Sequence, residues 1–500
     1  MLFRRLSIYV FIIVSLFGAL GCHEGGEEGL PPEVTLEGGR IFRTELGSDV
    51  TIAPSFAHLT DNAVIRWMLD EQWVGDGETY TFKAEESGVY YLSVEVTTEF
   101  GKAYLEVRID VAPPTPPEPP KPPVDSARVS FERSEYHVSL GRTIRLLPLD
   151  VDSTKTYTFI WSRDGAVVQQ GAEPLYRFEA TAQGRFAVDF RMELDGQTVF
   201  DHSLTVVVCP AEGAYRRVAV PGSSARCNKV YEYLPAPGQF INENYTATTM
   251  EEACAYATNR MKDSVYVSLG SFGGSLVVGF DHSIAASDGY DFAIKNSIFT
   301  NYSEPGIVWV MQDEDGNGLP DDTWYELKGS EYGLDCTVQD YAVTWYRPSA
   351  PGQPVMWTDN RGGSGKVDYL PAYHKQDYYY PLWVKEDSYT LRGTRLEARN
   401  YDSSGRGVLW INPDYGWGYA DNFSEIDMQP GETTGATAGC NHFRISDAVT
   451  FDGKPAQLQY IDFVKVQTGL LAKSGWLGEL STEVMDVIDF HLVQLCSRCS

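Results

Sequence analysis

Between residues 313 and 322 the chain reads Asp-Glu-Asp-Gly-Asn-Gly-Leu-Pro-Asp-Asp. Oxygen donors at Asp313, Asp315 and Asn317, followed by glycine, let one tight loop turn several oxygens towards a hard cation. Asp321, Asp322 or the later Glu326 could close the shell. Counting Asp313 as position one puts Trp324, not a glutamate, at position twelve, so this is not an EF-hand. The expected ion is Ca2+ in a structural role. A solvated acidic turn would have the same Asp-Gly and Asn-Gly composition.

A second candidate constellation is aromatic. Tyr378-Tyr379-Tyr380-Pro-Leu-Trp383 and Asp414-Tyr415-Gly-Trp417-Gly-Tyr419 crowd rings beside Asp, Asn and glycine. Neighbouring side chains on a strand point to opposite faces, so part of 378–380 must lie outward or in a loop. Tyr378, Tyr379, Trp383, Tyr415, Trp417 and Tyr419 are therefore the expected ligand surface, suited to a small molecule or glycan with a flat apolar face. Packing in a large sandwich core is the competing reading.

Catalytic motifs are absent. No His-Glu-x-x-His or Gly-x-Ser-x-Gly occurs, and Gly362-Gly-Ser-Gly-Lys366 fails as a phosphate loop because Val367 follows the lysine. The expectation is a binding protein and not an enzyme. A carboxylate pair acting on polysaccharide stays open, since such a pair is defined by space and not by spacing. The net charge of −29 excludes a nucleic-acid partner, because a polyanion would be repelled.

The elements that position these groups are mostly strands. Leu46-Gly47 and Leu140-Gly141, and likewise Trp67 and Trp161, lie 94 residues apart, and Gly88 and Gly184 each open an alternating strand. This repeat resembles the PKD and immunoglobulin-like modules of bacterial surface proteins, over about 31–112 and 125–208. Such modules usually act as spacers. Between them, residues 113–124 carry eight prolines, which predicts an extended polyproline strut. Residues 209–500 read as one large jelly-roll-like sandwich with a single short helix, begun by Thr249 and Glu252 in a capping box, with Met250, Cys254, Ala257 and Met261 on one face. The fold class is all-β.

At the amino end, Arg4-Arg5 and the apolar run to Leu20 predict a cleaved signal, residues 1–21. Ala19-Leu20-Gly21-Cys22 resembles a bacterial lipobox with Cys22 as the lipidated residue, and 22–30 form an acidic tether like that of surface-exported Bacteroidetes lipoproteins. Segments 232–243, 268–284, 304–313 and 461–469 resemble a family of Bacteroidetes cell-surface proteins with PKD-like domains. Relatives in that family often accompany cobalamin uptake. The resemblance implies an outer-membrane, cell-surface protein held by a lipid anchor, capturing a corrinoid or glycan for a TonB-dependent transporter; an adhesin or structural surface module is the alternative. Seven cysteines besides Cys22 leave at least one thiol unpaired, and Cys496 with Cys499 are expected to form a terminal disulfide or nothing.

Overall fold

A computed structural model describes residues 29–37, 39–112, 129–428, 437 and 439–493. The signal segment, Cys22, the proline-rich segment and Cys496–Cys499 lie outside the described residues. The chain is mostly β, with two sandwiches, a larger β domain and one longer helix among the described residues. No described helix is long and apolar enough to cross a membrane.

The first sandwich has a five-stranded sheet in the order Ile41–Glu45, Gly101–Ala112, Gly88–Thr98, Val64–Leu69 and Gln72–Asp76, with Asp49–Ile52 paired to Tyr80–Lys83. The second repeats that order with Glu135–Ser139, Gln197–Cys209, Gly184–Leu194, Thr158–Arg163 and Ala166–Gly171, and pairs Thr143–Leu146 with Tyr176–Glu179. Trp67 and Trp161 are both fully buried, and each indole N–H finds a carbonyl, Gly77 at 2.8 Å and Pro174 at 3.0 Å. Gly47 and Gly141 have φ of +84° and +90°, a region that glycine enters without steric cost, and each donates to an alanine carbonyl (Ala84, Ala180) at 2.8 Å.

The large domain is built on a six-stranded sheet. Its order is Lys229–Leu234, Ser275–Ala285, Tyr460–Thr468, Gly306–Met311, Trp324–Leu327 and Ala448–Val449. A four-stranded sheet (Ser364–Val367, Val355–Asp359, Val338–Tyr346, Ser388–Arg395) and a three-stranded one (Cys440–Phe443, Phe292–Lys295, Asp486–Asp489) join it, with the short pairs Val267–Ser268 on Glu483–Val484 and Tyr401–Asp402 on Trp410–Ile411. One continuous apolar core joins residues of all three larger sheets, among them Phe280 and Val464, Trp345, and Phe292 and Val487.

The helix Met250–Lys262 buries Cys254, Ala257 and Met261, as its spacing predicts, together with Ala253, while Met250, expected on the same face, is exposed at the first turn. Its cap is half a capping box. Thr249 Oγ1 accepts from Glu252 N at 3.2 Å, but the Glu252 carboxylate reaches back one residue further, to Thr248 N at 2.8 Å.

The second sandwich and the large domain belong to one compact unit. This corrects the spacer expectation for residues 125–208. Arg145 forms a bidentate ion pair with Asp340, donating at 2.9 and 2.7 Å, Arg177 donates to Asp452 at 3.2 Å, and Arg142 donates to Glu212 and the Ala456 carbonyl, each at 2.7 Å.

Candidate functional site

The acidic loop connects Gly306–Met311 to Trp324–Leu327, which pair antiparallel with Met311 opposite Trp324. Its tight path depends on Gly316 and Gly318, at φ +78° and +75°. A Cβ on Gly316 would also fall 2.5 Å from Tyr215 Cδ1. Inside the loop, side chains cap main-chain donors. Asp313 accepts from Gly316 N at 2.9 Å and Gly318 N at 3.0 Å, Asp315 from Asn317 N at 2.9 Å, and Asn317 from Leu319 N at 2.6 Å.

That division of labour sorts the five predicted ligands. Ligand-capable atoms of Asp315, Asp321, Asp322 and His137 all lie within 4.8 Å of one another. Asp313 is not in this group; its two oxygens hold the loop's backbone instead. Asn317 turns its amide, not its carbonyl, towards Asp315 and Asp321, at 3.0 and 3.1 Å. Those two residues therefore shape the loop and do not join the cluster.

His137 comes from the second sandwich. It lies on Glu135–Ser139, where Val138 faces the sandwich core and alternation turns Glu135, His137 and Ser139 the other way. His137 Nδ1 stands 3.1 Å from Asp322 Oδ1 and 3.5 Å from Asp315 Oδ2, and Nε2 is 3.3 Å from Glu135 Oε1. Arg133, just before this strand, donates to the Asp321 and Asp322 carbonyls, the latter at 2.8 Å.

Charge is concentrated here. The bond to Asp322 pushes the His137 imidazole up to about 9, above its ordinary value and against the opposing effect of burial. Asp322 is raised too, because burial outweighs what His137 gives back. Burial, with Asp462 and Asp322 nearby, lifts Asp313 to about 6. Glu314 is buried with both carboxylate oxygens lacking a hydrogen-bond partner, and burial beside Asp322 lifts it to about 8. A divalent cation would discharge this crowd of acids and replace the proton on His137. The set of one imidazole and three carboxylates could hold such an ion.

The aromatic expectation fares differently. Tyr379, Trp383, Tyr415 and Tyr419 are buried, which corrects their assignment to an outer ligand surface. Residues 378–380 lie in a loop, as one branch of the expectation had it. A loop has no alternation to force a ring outward, so Tyr379 and Tyr380 both enter the core. Their polar ends are satisfied inside. Tyr379 Oη donates to the His374 carbonyl at 3.0 Å, Tyr415 Oη to the Glu397 carbonyl at 2.6 Å, and Trp383 Nε1 to the Tyr233 carbonyl at 3.0 Å, while Tyr419 Oη accepts from Glu331 N at 2.9 Å. Tyr378 is half-buried. Trp417 lines a cavity of about 250 Å³ with Tyr290, Asp427 and Arg444, none of the other five being among its walls.

Sequence reasoning missed His137 and Arg133. No spacing marks either residue, although the repeat does mark the face they share with other charged positions. Thr51 and Thr81 of the first sandwich correspond to Arg145 and Arg177 of the second, basic residues, the one half-buried and the other exposed, in a chain of net charge −29.

Residues 31–98 match the PKD-like domain family. No curated protein matches the chain. Among solved structures, the fibronectin(III)-like modules of Clostridium thermocellum CbhA align at 14% identity over 38% of this chain and 100% of theirs, TM-score 0.16. The PKD domain of human KIAA0319 aligns at 19% identity over 19% and 92%, TM-score 0.15, and the titin Ig tandem A164-A165 at 16% over 36% and 97%, TM-score 0.13. None of these likenesses bears on a ligand.

Proposed function

We propose that this chain is an exported binding protein, anchored through Cys22 to a bacterial outer membrane, whose second sandwich and large domain form one metal-fastened head. The observation that carries this reading is the split cluster, in which His137 of one domain faces Asp315, Asp321 and Asp322 of the other. A cation held across a domain boundary fixes the orientation of whatever site the large domain presents, as suits capture of a small molecule or glycan for a neighbouring transporter. Calcium accepts the three carboxylates; the imidazole brings zinc and manganese into competition, since nitrogen donors suit them better.

Equilibrium dialysis of the full chain against each of the three ions tests this. One bound ion per chain is expected, lost in Asp322→Asn. Failure to retain any of them at micromolar concentration would remove the metal-fastened head. Surface biotinylation of intact cells tests the location separately, with release of the Cys22→Ser protein into the soluble fraction as the expected result.

A further inference from the structure

We infer that the large domain carries a binding pocket for a carboxylated sugar, built around Trp357, Lys366, Lys473 and Glu479; this rests on the reading of the chain as a binding protein and places its ligand. The cavity measures about 330 Å³ and shares no residue with the metal loop. That volume sits at the lower end of ligand sites, which run from ~300 to ~1,000 Å³.

The apolar wall is a fixed indole. Trp357 lies opposite Gly365 across the strand pair Val355–Asp359 and Ser364–Val367, and a Cβ on Gly365 would fall 2.6 Å from Trp357 Cζ2. Only glycine leaves the ring where it is. Trp345 packs edge-on behind it at 6.5 Å, and Val367 and Leu471 extend the apolar side. Sugars present a flat C–H face to such a ring.

The rim is cationic. Lys366 Nζ is 3.6 Å from Asp368, and Lys473 forms an ion pair with the same carboxylate. Two ammonium groups share one carboxylate at this mouth, in a chain of net charge −29. A ligand carboxylate would complete the pairing.

The interior holds a polar group that the protein leaves short of partners. Glu479 is only 6% exposed, and its Oε1 accepts from Gln239 N at 2.7 Å while Oε2 has no partner. Burial pushes this carboxyl up to about 8, so at neutral pH it carries a proton to donate. Gly238 makes room for it, since a Cβ there would lie 2.4 Å from Glu479 Oε1. A ligand hydroxyl that reaches this carboxyl would supply the partner that Oε2 lacks. Ring face, anion and hydroxyls together describe a uronic acid better than a neutral sugar or an apolar molecule.

The test is calorimetric titration of the full chain with glucuronate, galacturonate and their neutral parents glucose and galactose. The acids are expected to bind at least about tenfold more tightly than the neutral sugars, and Lys473→Ala to erase that preference without altering thermal stability, because the side chain is exposed. Trp357→Ala is expected to abolish binding of all four. Equal affinity for acidic and neutral sugars, or no binding by any of them, overturns the proposal. Binding that survives both substitutions overturns this site yet leaves a binding protein. Uronate binding by a chain that retains no metal leaves the pocket standing and removes only the metal-fastened head.

Discussion

The two sandwiches share one fold and differ in what their outer faces were given. In the first, Thr51 and Thr81 stand opposite each other and their hydroxyls bond at 2.9 Å. In the second the corresponding pair is Arg145 and Arg177, like charges side by side on neighbouring strands. Such a pair repels itself in isolation. It is relieved because each arginine reaches an aspartate of the large domain, Asp340 and Asp452. The position of Arg43 in the first is taken by His137 in the second, where Asp322 awaits it. Core residues thus decide that a segment is a sandwich, and a few outward positions let the second one meet the large domain.

The largest effect that separates the two is in their cores. Trp67→Ala and Trp161→Ala should each cost ~3–5 kcal/mol, since both indoles are fully buried. In scanning calorimetry, Trp161→Ala should lower the transition of the large domain as well, while Trp67→Ala leaves that transition in place. Independent melting of the second sandwich would break the comparison.

Proton linkage distinguishes them next. In the docked unit, buried acids are raised: Glu314 and Glu479 to about 8, Glu326 to about 7, Asp427 to about 6, with burial the leading cause in each. A carboxyl whose folded value is raised stabilises the fold fully below its unfolded value, and that contribution is lost as pH rises through the folded value. With chelator present, this unit should therefore lose stability from pH 5 to pH 9. For Glu326 alone, 4.5 to about 7 corresponds to ~3 kcal/mol, so Glu326→Gln should flatten the profile visibly. In the first sandwich Glu95 and Glu99 are lowered, by their bonds to Lys102 and Thr60, so its transition should show no such decline.

A smaller effect comes from making the faces alike. Arg145→Thr with Arg177→Thr removes two exposed ion pairs, worth ~0.2–1 kcal/mol each, and should lower the unit's melting temperature by roughly 1–2 °C. A loss several times larger would make charge, not the metal cluster, the main fastening.

This contrast also marks where the sequence could be read. Trp67, Trp161 and the glycine-led strands were legible because local alternation and a 94-residue repeat announce a sandwich without help from distant residues. The helix was legible through Thr249 and its buried stripe, and the acidic loop through Asp313–Asp322. His137 was not, because it lies some 180 residues before its partners and a lone histidine on a strand has no spacing to betray it. The aromatics misled for a related reason. Tyr379, Tyr415 and Tyr419 sit in loops, where burial follows from what the chain folds against and no period records it. Glu479 and Trp357 were invisible for the same cause, since their cavity is assembled from separate segments.

The most direct test is thermal unfolding of the wild type and of His137→Arg, which restores the residue of the first sandwich, each with saturating divalent ion and with chelator. An ion at a hundredfold excess over its dissociation constant stabilises by ~2.7 kcal/mol, so the wild-type transition should rise by several degrees and the variant's should stay fixed, although all three aspartates remain. An equal rise in both proteins, or none in either, would contradict a site shared between the two domains.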